Sequence, residues 1–173
     1  MEKMLAKMNA ERDRMAEGLK PIPPEWGKEG DWAAAWQGRA EAAANVCAGL
    51  HDFQRMNFAV WLAYEDAGVE AVRVALKHAL TQTHYFRAPA SLDLYSALEY
   101  ALFPIPDSIP ETVPVYRGGS SDGLSWSLSK DVAEFFAKKS NDPNITERVI
   151  KRHDIAFFSN EREEQEVILW SDL

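Results

Sequence analysis

Val113-Pro114-Val115-Tyr116-Arg117-Gly118-Gly119 is the stretch at which this chain changes its hydrophobic period. Just upstream, Pro104, Pro106, Pro110 and Pro114 punctuate a segment too proline-rich for a helix, which reads as a stiff connector over residues 104–114. Downstream, apolar residues recur with the alternation of short strands. Two further segments share that character: Leu124-Ser125-Trp126-Ser127-Leu128 and Glu164-Gln165-Glu166-Val167-Ile168-Leu169-Trp170. Successive side chains of a strand point to opposite faces. Val113, Val115 and Arg117 therefore share a face within their strand, as do Ser125 and Ser127, and as do Glu164, Glu166 and Ile168. Placed in one sheet, the three strands are expected to bring an arginine, two serines and two carboxylates together. That is the composition of a site, not of a core.

Outward from the connector toward the N-terminus, the period is helical. Residues 1–20 read as a helix with Met4, Leu5, Met8, Met15 and Leu19 as its stripe, stopped by Pro21, Pro23 and Pro24. A second helix is expected from an Asp31 N-cap through Trp32, Trp36, Ala40, Ala43 and Cys47 to Gly49. A third spans His51 to Asp66, with Phe53, Met56, Val60, Trp61 and Tyr64 on one side. A fourth runs from Val69 to about His84 on Val72, Leu76 and Leu80. A fifth opens at Ser91 and buries Leu94 or Tyr95, Leu98 and Leu102. Beyond the connector one more helix, Lys130 to Lys139, follows a Ser129 cap with Val132, Phe135 and Phe136 inward. The expectation is a single α+β domain over residues 1–173, with a helical N-terminal lobe (1–103) packed on a small β-rich lobe (115–173).

Composition limits the function classes. With 173 residues, 46% of them hydrophobic, including six Trp and eight Phe, the chain can build a substantial core. A formal net charge of −8 argues against nucleic acid as a partner, because phosphate contacts favour a basic face. Cys47 is the only cysteine, so no intramolecular disulfide is expected and a reducing compartment is the default. No stretch approaches the roughly 20 apolar residues of a membrane span, and Met1-Glu2-Lys3-Met4 opens no signal-peptide run. A cytoplasmic protein with no membrane partner is expected. His51, His78, His84 and His153 lack metal-ligand spacing, so no metal site is expected.

Three blocks, in order, resemble the mono-ADP-ribosyltransferase family, in the bacterial toxin and phage branch defined by an arginine, a serine motif and a glutamate. Tyr116-Arg117-Gly118 resembles the first-strand arginine motif. Leu124-Ser125-Trp126-Ser127-Leu128, followed by Val132-Ala133-Glu134-Phe135-Phe136-Ala137, resembles the serine-threonine-serine strand and its helix, with Trp126 in the threonine position. Glu164-Gln165-Glu166-Val167-Ile168-Leu169 resembles the glutamate-x-glutamate strand. The resemblance covers roughly residues 113–170.

It implies an enzyme that uses NAD+ as co-substrate and a target protein as acceptor, acting as a phage or bacterial effector. NAD+ loses nicotinamide through a transition state with positive charge on the ribose, akin to glycoside cleavage. By the resemblance, Glu166 stabilises that charge, Ser125 orients Glu166, and Arg117 holds a phosphate or ribose. Ser127 and Phe136 complete the expected NAD+-binding set. Glu164, in the family, goes with transfer to arginine, and the turn from Asn160 to Glu163 falls where the family recognises its acceptor.

Read without the resemblance, the same residues have plainer uses. Arg117 before Gly118-Gly119 also reads as a strand end entering a turn, and Glu161-Arg162-Glu163-Glu164 as a solvated charged turn. Phe157 and Phe158 suit either a ligand or the core. Glu166 fits the plainer reading least, because it opens an apolar run in which a carboxylate needs a partner. Two rival functions follow: an NAD+ glycohydrolase of the same fold, with Glu164 dispensable, and a non-catalytic partner-binding protein.

Overall fold

The structure is a computed structural model and describes residues 29–82, 91–119 and 123–173. The expected helix over residues 1–20 and His84, the expected end of the fourth helix, lie outside the described residues.

Five helices precede the sheet: α1 (Glu29–Trp36), α2 (Ala40–Ala48), α3 (Asp52–Tyr64), α4 (Val69–Gln82) and α5 (Ser91–Ala101). The single helix expected from Asp31 to Gly49 is broken in two at Gly38, whose φ of +85° belongs to the left-handed region that glycine tolerates. A Cβ there would lie 2.8 Å from the Ala67 carbonyl oxygen, so glycine also permits the close approach of this turn to the α3–α4 loop. Asp31 sits inside α1 and accepts a hydrogen bond from Asn45 Nδ2 instead of capping the helix.

In α3 the inward face is Phe58, Ala59 and Leu62, rotated from the expected stripe; Met56, Val60 and Trp61 are half-buried and Tyr64 is exposed. The reason is crowding. Helix α4 packs against α2, α3 and α5 together. It buries Val72, Leu76 and Leu80 as expected, and Ala71, Ala75 and Ala79 besides. Such alanine-lined contacts let helices approach closely. In α5, Leu94 and Leu98 are buried and Tyr95 is not. Leu102, expected inside, falls past the helix end with φ +46° and is exposed. Arg73 donates to the Ala101 and Leu102 carbonyls, which satisfies that helix end.

The β-rich lobe contains β1 (Thr112–Gly118), β2 (Ser125–Ser127), α6 (Lys130–Lys139), β3 (Ile145–Lys151), β4 (Ile155–Ser159) and β5 (Glu166–Leu169). They form one antiparallel sheet in the order β3-β1-β2-β5-β4, so the three strands that carry the sequence blocks are neighbours. Strand β1 begins at Thr112, within the segment read as connector. One face of the sheet carries Val113, Val115, Trp126, Ile150, Val167 and Leu169, closed over by Ile105 and Ile109 of the proline segment. The other face contributes Phe157 and Ile168 to the same core as the helices, joined by Leu124 and Ala156. The fold is α+β, with the helical lobe packed on one face of the sheet.

Candidate functional site

Antiparallel register decides which side chains meet. Ser127 pairs with Glu166 and Ser125 with Ile168, so Ser125, Ser127, Glu166 and Ile168 share the face turned toward the helical lobe. Across the β2–β5 boundary, Ser125 Oγ donates a hydrogen bond of 2.5 Å to Glu166 Oε1. Only 13% of the Glu166 side chain is exposed. Burial raises its carboxyl above the ordinary glutamate range; the Ser125 hydrogen bond and the Arg162 charge pull it partly back, and the Glu164 charge pushes it up. The carboxylate is oriented by a hydrogen bond from an exposed serine.

Ser127 has a different task. Its buried hydroxyl donates to the Glu164 carbonyl at 2.6 Å and accepts from the Ser129 amide at 2.9 Å. It thus ties the loop before β5 to the start of α6. Ser129 stands at the N-cap position of α6 without a side-chain capping bond.

Glu164 does not share a strand face with Glu166, contrary to expectation. The strand begins only at Glu166, and Glu163 (φ 60°) and Gln165 (φ 48°) are left-handed. The two carboxylates meet by another route. Arg162 Nη2 lies 3.1 Å from Glu164 Oε2 and 4.0 Å from Glu166 Oε2.

Arg117 is the main correction. Tyr116 pairs with Ser127, which sets Arg117 beside Trp126, on the sheet face opposite to Ser125 and Glu166. Its guanidinium stacks 4.1 Å from the Trp126 ring and bonds Asp172 Oδ2 at 3.0 Å; its Nε donates to the Ser125 carbonyl oxygen at 3.2 Å. Its side chain is 11% exposed. An arginine sheathed in this way is not set beside the carboxylates to grip a phosphate. It acts from behind the sheet, bracing the backbone of the residue that orients Glu166.

Phe136 is half-buried on α6, with Phe135 and Lys139 as its ring partners. The helix turns Ala133 and Ala137 inward instead of the expected Val132, Phe135 and Phe136, and Phe135 is exposed. Close packing explains the choice: a Cβ on Gly118 of β1 would lie 1.7 Å from the Ala133 carbonyl oxygen, so α6 lies almost on the strand backbone and only alanine fits the contact. Phe157 is fully buried with its ring against Phe103, which is core use.

No family model, curated protein or solved structure matches this chain. Geometry and chemistry therefore carry the functional argument. Sequence reasoning gave Arg162 no role of its own, placing it either in the acceptor-recognising turn that the resemblance implies or in a solvated charged turn, and it missed Asp172. Asp172 accepts from Trp126 Nε1 at 2.6 Å, from Arg117 and from Arg148 Nη1 at 2.9 Å. Burial raises its carboxyl, but the donors Trp126 and Arg148 outweigh that and hold it below the usual aspartate range. Among the described residues no group of His, Cys, Asp and Glu is placed to hold a metal ion, and no helix is long and apolar enough to cross a membrane.

Proposed function

We propose that this chain is an NAD+-dependent mono-ADP-ribosyltransferase that modifies a target protein, with an arginine side chain as acceptor. The observation that carries the reading is the Ser125–Glu166 hydrogen bond, made across adjacent strands by a mostly buried carboxylate at the site's edge. Burying a carboxylate costs free energy that its partners only offset, and carboxylates perturbed by burial cluster at functional sites. Fixed beside a ribose, it would stabilise the positive charge that develops as nicotinamide departs.

In the reaction the ribose C1′–nitrogen bond to nicotinamide breaks, and nicotinamide leaves as a neutral molecule with the bonding pair. A new bond forms from C1′ to a guanidine nitrogen of the acceptor, which loses one proton to Glu164. Glu166 stabilises, Ser125 orients, and Ser127 holds the Glu164 backbone in place. Arg117 is a positioning residue in this scheme, acting through the Ser125 carbonyl.

The test is incubation of the purified chain with labelled NAD+ and a bacterial lysate, beside Glu166→Gln and Glu164→Gln. A labelled protein band that disappears with Glu166→Gln supports the transferase. Nicotinamide release without a band favours the glycohydrolase. No turnover and no NAD+ binding overturns the enzyme reading.

A further inference from the structure

The turn between β4 and β5 sets one of the chain's own arginines against two carboxylates, Glu164 and Glu166. A single guanidinium nitrogen of Arg162 faces both Glu164 and Glu166, at 3.1 Å and 4.0 Å. The turn that delivers it is held on both sides. Inside the turn, the Asn160 carbonyl accepts from the Glu163 amide at 3.1 Å and Asn160 Oδ1 accepts from the Gln165 amide at 3.3 Å. Toward the helical lobe, Glu161 Oε1 lies 2.7 Å from Lys77 Nζ of α4, and the Lys77 hydrogen bond is the chief cause that holds the Glu161 carboxyl below its ordinary range. The left-handed residues Glu163 and Gln165 complete the loop's path back into the sheet.

The contact itself is open. The Arg162 side chain is 41% exposed and that of Glu164 26%. An ion pair this accessible is weakly bound and can be displaced. It also offsets the repulsion between two neighbouring carboxylates, one of them mostly buried.

We propose that Arg162 is a built-in occupant of the acceptor subsite, a tethered guanidinium that an incoming arginine side chain must displace. The word acceptor rests on the transferase reading above; the claim that Glu164 and Glu166 form a guanidinium subsite filled by Arg162 stands on the geometry alone. A tethered competitor acts at a high effective concentration. Small free guanidines therefore compete poorly, and a protein target that adds contacts elsewhere displaces Arg162 more readily. Arg162 is thus a specificity residue. It discriminates by what the acceptor brings besides its guanidinium.

The experiment measures binding of agmatine, a small alkylguanidinium, to the full chain by titration calorimetry. Wild type is compared with Arg162→Ala, Arg162→Gln and the double variant Arg162→Ala/Glu164→Gln, each checked for folding by circular dichroism. Both single variants are expected to bind agmatine about two- to five-fold more tightly than wild type, the range of an exposed ion pair. The double variant is expected to lose that gain. Equal or weaker binding by the single variants, a gain that survives Glu164→Gln, or no binding by any protein overturns the proposal. Nicotinamide release from NAD+ is measured on the same samples. If wild type turns over no NAD+, the transferase reading fails while the calorimetric comparison still decides the subsite.

Discussion

Gly118 closes the tyrosine-arginine-glycine block, and the structure gives that glycine a steric reason. Its φ lies outside the left-handed region, so alanine is conformationally allowed there and only space forbids it. A Cβ on residue 118 would stand 1.7 Å from the Ala133 carbonyl oxygen and 2.8 Å from the Ala137 amide nitrogen. Packed carbon atoms sit about 3.5–4.0 Å apart, so α6 would have to retreat by more than ~1 Å. Both obstructing atoms belong to helix backbone and cannot rotate aside. Overpacking of a core typically costs about 1–3 kcal/mol, and this contact belongs at the upper end, about 3 kcal/mol. At about 2–4 °C per kcal/mol for a chain of this size, Gly118→Ala should lower Tm by about 6–12 °C. Thermal unfolding followed by circular dichroism measures it, with Gly123→Ala, whose Cβ would meet nothing within 4 Å, as the neutral control. If Gly118→Ala melts within about 2 °C of wild type, α6 does not lie on β1 as described, and the tie from Ser127 to the start of that helix loses its support.

Other perturbations follow from the same geometry. Because burial raises the Glu166 carboxyl, folding favours its protonated form, so its ionisation costs stability as pH rises through the folded-state value. Glu166→Gln should therefore be more stable than wild type near neutral pH, and on the proposed transferase reading it should lose NAD+ turnover, with the stability gap closing toward pH ~4; melting curves across that range that show wild type the more stable at neutrality would refute it. Asp172 titrates below its ordinary value, so its stabilisation is present above the unfolded-state value and is lost as acid protonates it. Asp172→Asn removes the charge that pairs with the mostly buried Arg117 and should cost about 2–3 kcal/mol at pH 7, read from urea unfolding; a change below about 0.5 kcal/mol would mean that the ion pair contributes little. Cys47 is fully buried and its thiol is pushed up to about 12, so it should resist a thiol reagent at neutral pH until the chain unfolds. Rapid labelling of the native protein would contradict that burial.

What was legible in the sequence was whatever depends on neighbours along the chain. The period of Val72, Leu76 and Leu80 foretold the buried face of α4 because that helix is enclosed by three others and almost any apolar stripe is used. The stripe of α3 misled, since which of several apolar faces a helix buries depends on the helices beside it, and Phe58 and Leu62 won over Val60 and Tyr64. The break at Gly38 was missed because the glycine is required by its approach to the Ala67 carbonyl, a residue far along the chain.

The same division runs through the site. Alternation within each strand correctly grouped Ser125 with Ser127, and the polar exception at the head of an apolar run pointed to Glu166, a carboxylate that is mostly buried and hydrogen-bonded. Alternation says nothing about how one strand's faces align with the next. That is fixed by register, and a shift of one residue inverts every side chain. The pairing of Tyr116 with Ser127 put Arg117 behind the sheet with Trp126 and Asp172, while the pairing of Ser127 with Glu166 put serines and carboxylate together in front. Arg162 entered the site through a turn of left-handed residues whose course has no period to read. The sequence by itself determined the α+β class, the change of period at Val113 and the residue types available for chemistry. Only the tertiary structure decided which of them face one another, because that choice is made by hydrogen-bond register and close packing between segments distant in the chain.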